Sequence, residues 1–321
     1  MFLGVDGGGT KTEYTLVAAS GEVRARHVGP SVSHLSAGFE RAGELLRSGI
    51  NLTLAQAEVS ASAVRFAFIG LPSYGEDSTA TARLNALPGA LFDADRYRCG
   101  NDMICSWAGA LGCRDGISVI AGTGSMAYGE YRGRAARAGG WGEIIGDEGS
   151  AYWIAREGMN LFSRMCDGRA ARGPLYEHVR QRLGIAEDLD LCSHVYGEVA
   201  NTRSVFAQFA PLVHEAALAG DQQAREIFTR AADELAQCVI AVRRSLQVQE
   251  SVVLDVSHTG GVFGGASLLL QAFRAALERH ATQLSYRAPL YAPAIGAALY
   301  AAGLAGTPLD QQALNSLTLT Q

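Results

Sequence analysis

The chain alternates short apolar runs with breaks made of glycine, threonine and polar residues. The first run, Phe2 to Val5, leads into Asp6-Gly7-Gly8-Gly9-Thr10-Lys11-Thr12 and then into Tyr14-Thr15-Leu16-Val17-Ala18. Two β-type runs joined by glycines and threonines predict a hairpin. Val23 to Val28 predicts another strand, and Gly29-Pro30-Ser31-Val32-Ser33-His34 carries loop chemistry. A helix is expected from about Ser36 to Ser48, with Ser36 as its cap and Phe39, Leu45 and Leu46 on its apolar face. Ala63 to Ile69 is apolar apart from Arg65 and stops at Gly70-Leu71-Pro72, which predicts a buried strand. Asp77 to Leu87 reads as helix, Tyr97 to Asp102 as a short strand with a polar tip, and Met103 to Leu111 as a helix starting at Asp102.

From Gly116 the pattern restarts. Ile117 to Ile120 predicts a strand, Ala121-Gly122-Thr123-Gly124-Ser125 a second small-residue turn, and Met126 to Tyr131 another strand. This repeats the order of residues 2 to 18, so the chain has the form of one design used twice. Gly139-Gly140-Trp141-Gly142 and Gly146-Asp147-Glu148-Gly149-Ser150 follow. Helices are expected at Ser150 to Arg164, Pro174 to Leu183, Ser204 to Ala219 and Asp221 to Leu246. Ser251 to Val256 predicts a strand ending in Ser257-His258-Thr259-Gly260-Gly261, and helices at Gly265 to Glu278 and Pro293 to Ala302 close the pattern. No long linker separates the halves.

The 321 residues exceed one typical domain and suggest two. With 48% hydrophobic and 18% charged residues the composition is that of a soluble globular chain. A net charge of -5 gives no electrostatic case for nucleic acid or an anionic membrane. The apolar runs are too short and too interrupted for a transmembrane helix or signal peptide, so a cytoplasmic location is expected. The six cysteines never form C-x-x-C and lie in apolar or helical contexts, which predicts buried free thiols rather than disulfides or a metal site. Lys11 is the only lysine among 27 basic residues, by codon bias or because it reaches a phosphate.

The candidate chemistry lies in three glycine-rich turns, each directly after an apolar run. Consecutive glycines let backbone N–H groups approach a bulky anion. The first turn is not a Walker loop, since Lys11 has no preceding glycine and no helix is predicted after it. Asp6 would place a carboxylate beside the anion, where a magnesium ion or its water shell links the two. Asp6 to Thr12 and Ala121 to Ser125 would hold phosphates through backbone N–H groups and the Thr10 and Thr123 hydroxyls. Thr259 to Val262 would leave room for adenosine, within a cleft between the halves that closes to exclude water. Taken locally, an ordinary hairpin is the alternative for the first turn, helix caps are the alternative for Asp102 and Asp147, and a core position is the alternative for Trp141.

Asp6-Gly-Gly-Gly-Thr, Ala121-Gly-Thr-Gly-Ser and Thr259-Gly-Gly-Val resemble the phosphate-1, phosphate-2 and adenosine motifs of the actin-like ATPase superfamily, which includes sugar kinases and actin. Gly140-Trp-Gly-Glu-Ile-Ile-Gly-Asp-Glu-Gly-Ser150 resembles the N-acetylglucosamine kinase group, within the BadF/BadG/BcrA/BcrD ATPase family shared with the benzoyl-CoA-reductase activators. The resemblance implies an α/β fold of two actin-like, ribonuclease H-like domains with a nucleotide cleft between them. The expected division is residues 1–114, residues 115–305, and a 306–321 tail packed on the first domain. It also implies an ATP- and magnesium-dependent kinase of an amino sugar, most simply N-acetylglucosamine, acting as a homodimer.

The residue roles carry over by position. Asn101-Asp102 matches the family's Asn-Asp, which makes Asp102 the general base and a substrate contact. Gly8, Gly9, Thr10, Lys11, Thr12, Gly122, Thr123, Gly124, Gly260, Gly261 and Gly264 would bind the nucleotide, and Asp6 would bind magnesium through water. Ser33, Ser125, Gly140, Trp141 and Asp147 would line the sugar site. The sequence departs from the family where Ser33, beside His34, replaces a sugar-binding Asn and where Met126 follows the second turn. These changes leave glucosamine and N-acetylmuramic acid as alternative substrates. A non-kinase activator ATPase is a weaker alternative, because the paired cysteines of an iron–sulfur site are missing. A dinucleotide oxidoreductase would need a helix after Gly122-x-Gly124-x-x-Ala127, where a strand is expected. A sugar-sensing regulator would need a DNA-reading module that the sequence does not display.

Overall fold

A computed structural model describes residues 1–198, 203–264, 268–280 and 283–318. They divide into two compact units, Met1–Ser118 with Arg287–Gln321, and Val119–Tyr286. The second boundary expected from the sequence, at residue 305, therefore moves back to 286.

The first unit is built on five strands, β1 (Phe2–Gly7), β2 (Lys11–Val17), β3 (Val23–Pro30), β4 (Phe66–Leu71) and β5 (Tyr97–Asn101), in the order β3-β2-β1-β4-β5. β1 pairs antiparallel with β2 and parallel with β4, and β4 pairs parallel with β5. One face of the sheet carries α2 (Phe39–Gln56), whose Ala42, Leu46, Ile50 and Leu54 are buried at helical spacing. Its core includes Leu3, Val5, Tyr14 and Ile69. α2 is longer than expected and starts from Gly38, at φ +77, rather than from Ser36, which lies in the short α1 (His34–Ala37). α3 (Thr81–Ala86) starts later than expected, because the Asp77 carboxylate accepts bonds from the Thr79 N–H and hydroxyl and offers that stretch a turn instead.

The other face packs Phe2, Val17 and Phe68 against α4 (Met103–Leu111), α12 (Pro293–Leu304) and α13 (Gln311–Thr318). α12 belongs here because its small residues reach the backbone of its neighbours. A methyl group at Gly296 would overlap the Gly109 N in α4, and one at Gly4 would overlap the Ala294 carbonyl. Leu317 of α13 is fully buried in the same cluster.

The second unit repeats the plan. β6 (Gly116–Ala121), β7 (Ser125–Tyr131), β8 (Arg134–Gly139), β9 (Leu254–Thr259) and β10 (Leu284–Tyr286) stand in the order β10-β9-β6-β7-β8, with the division between units falling inside β6. Read from the other edge this is β8-β7-β6-β9-β10, the order of β3-β2-β1-β4-β5 strand for strand. β8 and β10, which the sequence pattern does not signal, complete the match. The helices are α5 (Ala151–Cys166), α6 (Pro174–Leu183), α7 (Asp190–Ser193), α8 (Arg203–Phe206), α9 (Ala210–Leu218), α10 (Gln222–Ser245) and α11 (Leu268–His280). The helix expected from Ser204 to Ala219 is broken by a 3-10 turn between α8 and α9, and the expected start at Gly265 lies outside the described residues. Ser150 and Asp221 cap α5 and α10 by accepting from the Trp153 and Ala224 N–H groups. None of the six cysteines, all among the described residues, forms a disulfide; Cys99 and Cys105 are buried as expected, but Cys192 is exposed. Among the described residues no helix is long and apolar enough to cross a membrane.

Candidate functional site

In the first unit the carboxyl ends of β1, β4 and β5 bring Asp6 and Asp102 together. Gly70 permits this: a methyl group there would overlap Cys105 Sγ and lie 3.2 Å from the Asp102 Cα. The turn after Asp6 closes with the Gly8 N–H donating to the Lys11 carbonyl at 2.9 Å. Gly9 and Thr10 stand exposed at its tip, and the exposed Lys11 pairs with Glu13. Thr12 is an exception among the expected phosphate contacts. It is fully buried, and its hydroxyl accepts from the Val32 N–H at 3.1 Å, so it ties the 31–33 loop to the hairpin instead of facing a ligand. The Ser31 hydroxyl donates to the Gly8 carbonyl at 2.8 Å and accepts from the Ser33 N–H at 3.2 Å, which holds the buried Ser33 beside the turn.

Asp102 occupies the cap position of α4, yet its side chain makes no capping bond. Asn101 does that work, accepting from the Met103 N–H at 3.0 Å while donating to the Tyr74 carbonyl at 3.0 Å. The Asp102 carboxyl is left for other chemistry. Burial, then the neighbouring charges of Asp6 and Glu76, hold it well above the ordinary carboxylate range, and the nearby Met103 and Asp102 N–H groups offset this only in part. Burial and the Glu13 charge push Asp6 up to about 7, against smaller opposing effects of Cys105 and Lys11. This is an oxygen-rich, electron-rich corner that favours a proton or a hard cation. Among the described residues no three metal-binding side chains cluster.

In the second unit the turn of residues 121–125 is pinned from both sides. The Gly122 N–H donates to the Gly124 carbonyl at 2.9 Å, and the Gly122 carbonyl accepts from the Ala151 N–H at 2.8 Å in the first turn of α5. The turn of residues 259–264 packs directly on it. Gly260 has φ +99, and a methyl group there would overlap the Ala121 carbonyl, so both conformation and contact demand glycine. Gly122, Thr123, Gly261, Val262 and Gly264 open together on a cavity of about 520 Å³, walled by Ile154, Pro211, His214 and Phe228. The size and the largely apolar wall suit a flat base and ribose.

The residues expected around a sugar behave differently from one another. Trp141 is 68% exposed, with Ile144 and Ile145 beside it also exposed, and Gly140 bonds through its N–H to the Ser125 carbonyl at 3.0 Å. The buried Ser125 hydroxyl donates to the Glu148 carbonyl at 2.7 Å. Asp147 is only 2% exposed. One carboxylate oxygen accepts from the Ser125 N–H at 3.3 Å and the other from Arg203. Arg203 also pairs with Glu143 at 3.4 Å. The sequence reading missed Arg203, and no local pattern marks it, because its partners lie 56 and more residues earlier in the chain.

Twin sheets of identical strand order, each with a glycine turn between its first two strands, define an α/β protein of actin-like, ribonuclease H-like architecture. The chain belongs to the BadF/BadG/BcrA/BcrD ATPase family, whose pattern it matches over residues 3–301. It is 28% identical to the N-acetyl-D-glucosamine kinase of Dictyostelium discoideum over 273 residues, covering 81% of this chain and 85% of that one. It is 31% identical to the N-acetylmuramic acid/N-acetylglucosamine kinase of Clostridium acetobutylicum over 277 residues, covering 85% and 88%. A solved structure from Chromobacterium violaceum, provisionally described as an N-acetylglucosamine kinase, superposes with a TM-score of 0.71 at 29% identity, covering 92% of this chain and 97% of that one. A ROK family glucokinase from Streptomyces griseus, solved with glucose and AMPPNP, shares the fold at 15% identity with a TM-score of 0.58, covering 94% and 99%.

Proposed function

We propose that this protein is an ATP-dependent kinase of an amino sugar, with N-acetylglucosamine as the first candidate. The observation that carries the reading is the contact between the 121–125 and 259–264 turns, which open on one cavity of nucleotide-base size. Two segments distant in the chain are brought there by the neighbouring strands β6 and β9, in a chain from an ATPase family.

In this reading adenosine lies against Gly260, Gly261 and Gly264, and the residues that would bind phosphate through N–H groups and hydroxyls are Gly122, Thr123 and Gly124 of the second unit and Gly8, Gly9, Thr10 and Lys11 of the first. Asp102 accepts the proton of a sugar hydroxyl. That oxygen bonds to the γ-phosphorus as the bond to the bridging oxygen of the β-phosphate breaks, releasing ADP. Asp6 would hold magnesium, which when bound supplies positive charge to the phosphates. A carboxylate base must be ionised, so the strong preference of Asp102 for its proton in the ligand-free protein has to be relieved when the site fills. The sugar contacts fall to Ser33, Ser125, Gly140, Trp141 and Asp147. Glu143, Asp147 and Glu148 outweigh the single charge of Arg203, which favours a neutral sugar over the carboxylate-bearing N-acetylmuramic acid.

The test is a substrate panel of N-acetylglucosamine, glucosamine, N-acetylmuramic acid and glucose, with the product located by NMR, run on the wild type and on Asp102→Asn. The variant is expected to lose phosphorylation by roughly 100-fold or more while ATP binding stays nearly intact. Normal turnover in the variant would remove Asp102 from the mechanism.

A further inference from the structure

Arg203 links parts of the second unit that are remote in the chain. Its guanidinium lies against Gly124 of the phosphate turn so closely that a methyl group at Gly124 would overlap it. It pairs with Asp147, and its Nε lies 3.4 Å from a Glu143 carboxylate oxygen, enclosed without a closer acceptor. Asp147 in turn receives the Ser125 N–H at the end of the same turn. Asp147 is also one of six non-glycine residues, among the described residues, with a left-handed backbone, at φ +59, a conformation that costs on the order of 1 kcal/mol and that its bonds must hold.

We propose that Arg203 is a positioning residue: it fixes the Asp147 carboxylate and clamps the 140–147 loop to the phosphate turn, so that sugar contact and phosphate contact are set in one geometry. The assignment rests on the kinase reading above. Its electrostatic side is consistent. Burial pushes the Asp147 carboxyl up, Arg203 is the largest opposing influence, the Ser125 N–H adds to it, and Glu143 and Glu148 oppose both. Among the described residues, the charged groups acting on Asp147 are Arg203, Glu143 and Glu148. Without Arg203, a nearly enclosed carboxylate would face two like charges with only one backbone N–H in support.

Arg203→Ala and Arg203→Lys test this with two readouts. The first is the titration of the Asp147 carboxyl followed by carbon-13 NMR, assigned by its absence in Asp147→Asn. It should move upward by about 1 unit or more in Arg203→Ala and by much less in Arg203→Lys. The second is kinetic. Arg203→Ala should lower kcat/KM for the sugar by about 100-fold, with the acid limb of its pH profile moved upward, and Arg203→Lys should recover part of the loss. An unmoved titration and pH limb, or a kinetic loss that persists undiminished when Arg203→Ala is added to Asp147→Asn, would overturn the proposal. A wild type inactive on the whole sugar panel overturns the kinase reading instead. The NMR titration then still decides whether Arg203 governs Asp147. If Arg203→Ala does not fold, Arg203→Lys carries both measurements.

Discussion

Asp6 is held where its charge is disfavoured, and the consequence is measurable without any substrate. Its folded-state pKa of about 7 lies above the 3.8 of an unperturbed Asp, so the folded chain binds this proton more tightly than the unfolded chain. That contribution to stability is complete below about pH 4 and is lost as pH rises to about 7, the opposite of an ordinary salt-bridged carboxylate. Asp6→Asn removes the penalty. The ligand-free variant is expected to be more stable than wild type at pH 8, on the order of 2 to 4 kcal/mol, and equal to it near pH 4. Denaturant titration at the two pH values checks this, and an Asp6→Asn protein no more stable at pH 8 would show that Asp6 is well solvated as a carboxylate. Buried carboxylates perturbed in this way cluster at functional sites, which is the ground for the magnesium role proposed for Asp6. Asp102 teaches the same lesson about legibility. The sequence permits a cap and a base at one position, and only coordinates reveal that Asn101 performs the capping. Arg203 was beyond reach, since an isolated arginine gains meaning only from partners brought to it by folding.

At the scale of elements, glycine turns and apolar runs were legible because they are local. β1, β2, β4, β5, α4, α6 and α12 follow directly from runs, breaks and caps, and the strand after Gly124 removes the dinucleotide fingerprint reading. β8 and β10 were hidden for a physical reason. β8 is Arg-Ala-Ala-Arg-Ala-Gly and β10 has three residues, so neither carries an apolar run, and each forms because a neighbouring strand offers it a ladder. Helix packing was hidden too. α12 crosses α4 at contact between backbones, through Gly296 and Gly109, and a pattern of alanines and glycines shows small size without showing what approaches. Gly296→Ala should therefore cost far more than the usual gain of helix propensity from such a change. About 3 kcal/mol of lost stability is expected, read as a lower denaturant midpoint, because backbone cannot move aside as a flexible side chain does. A neutral substitution would show that the two helices lie further apart than described.

For the whole molecule, the order of the chain and the order of the packing differ. The polypeptide leaves the first unit near residue 118 and returns to it at 287. The sequence pattern could not mark that return, because Pro289 and Pro293 signal a loop and a helix start without showing which unit the helix joins. The last helix is then a part of the first unit's core, not an appendage. Leu317 is fully buried with Phe2 and Val17, Leu314 packs beside it, and Ala313 presses on Gly21 in the β2–β3 turn. Deleting residues 307–321 would uncover those positions while leaving every residue of the 520 Å³ cavity in place. One fully buried and one partly buried leucine correspond to roughly 3 kcal/mol of hydrophobic stabilisation. The shortened protein should accordingly unfold at a markedly lower temperature in a scan of the ligand-free chain. At temperatures where it remains folded it should still bind adenosine with near wild-type affinity, because Gly122, Gly261 and Phe228 are untouched. Unchanged thermal stability would mean that α13 adds nothing to the first core. Lost adenosine binding in a folded truncation would mean that the base site depends on more than the residues that line it.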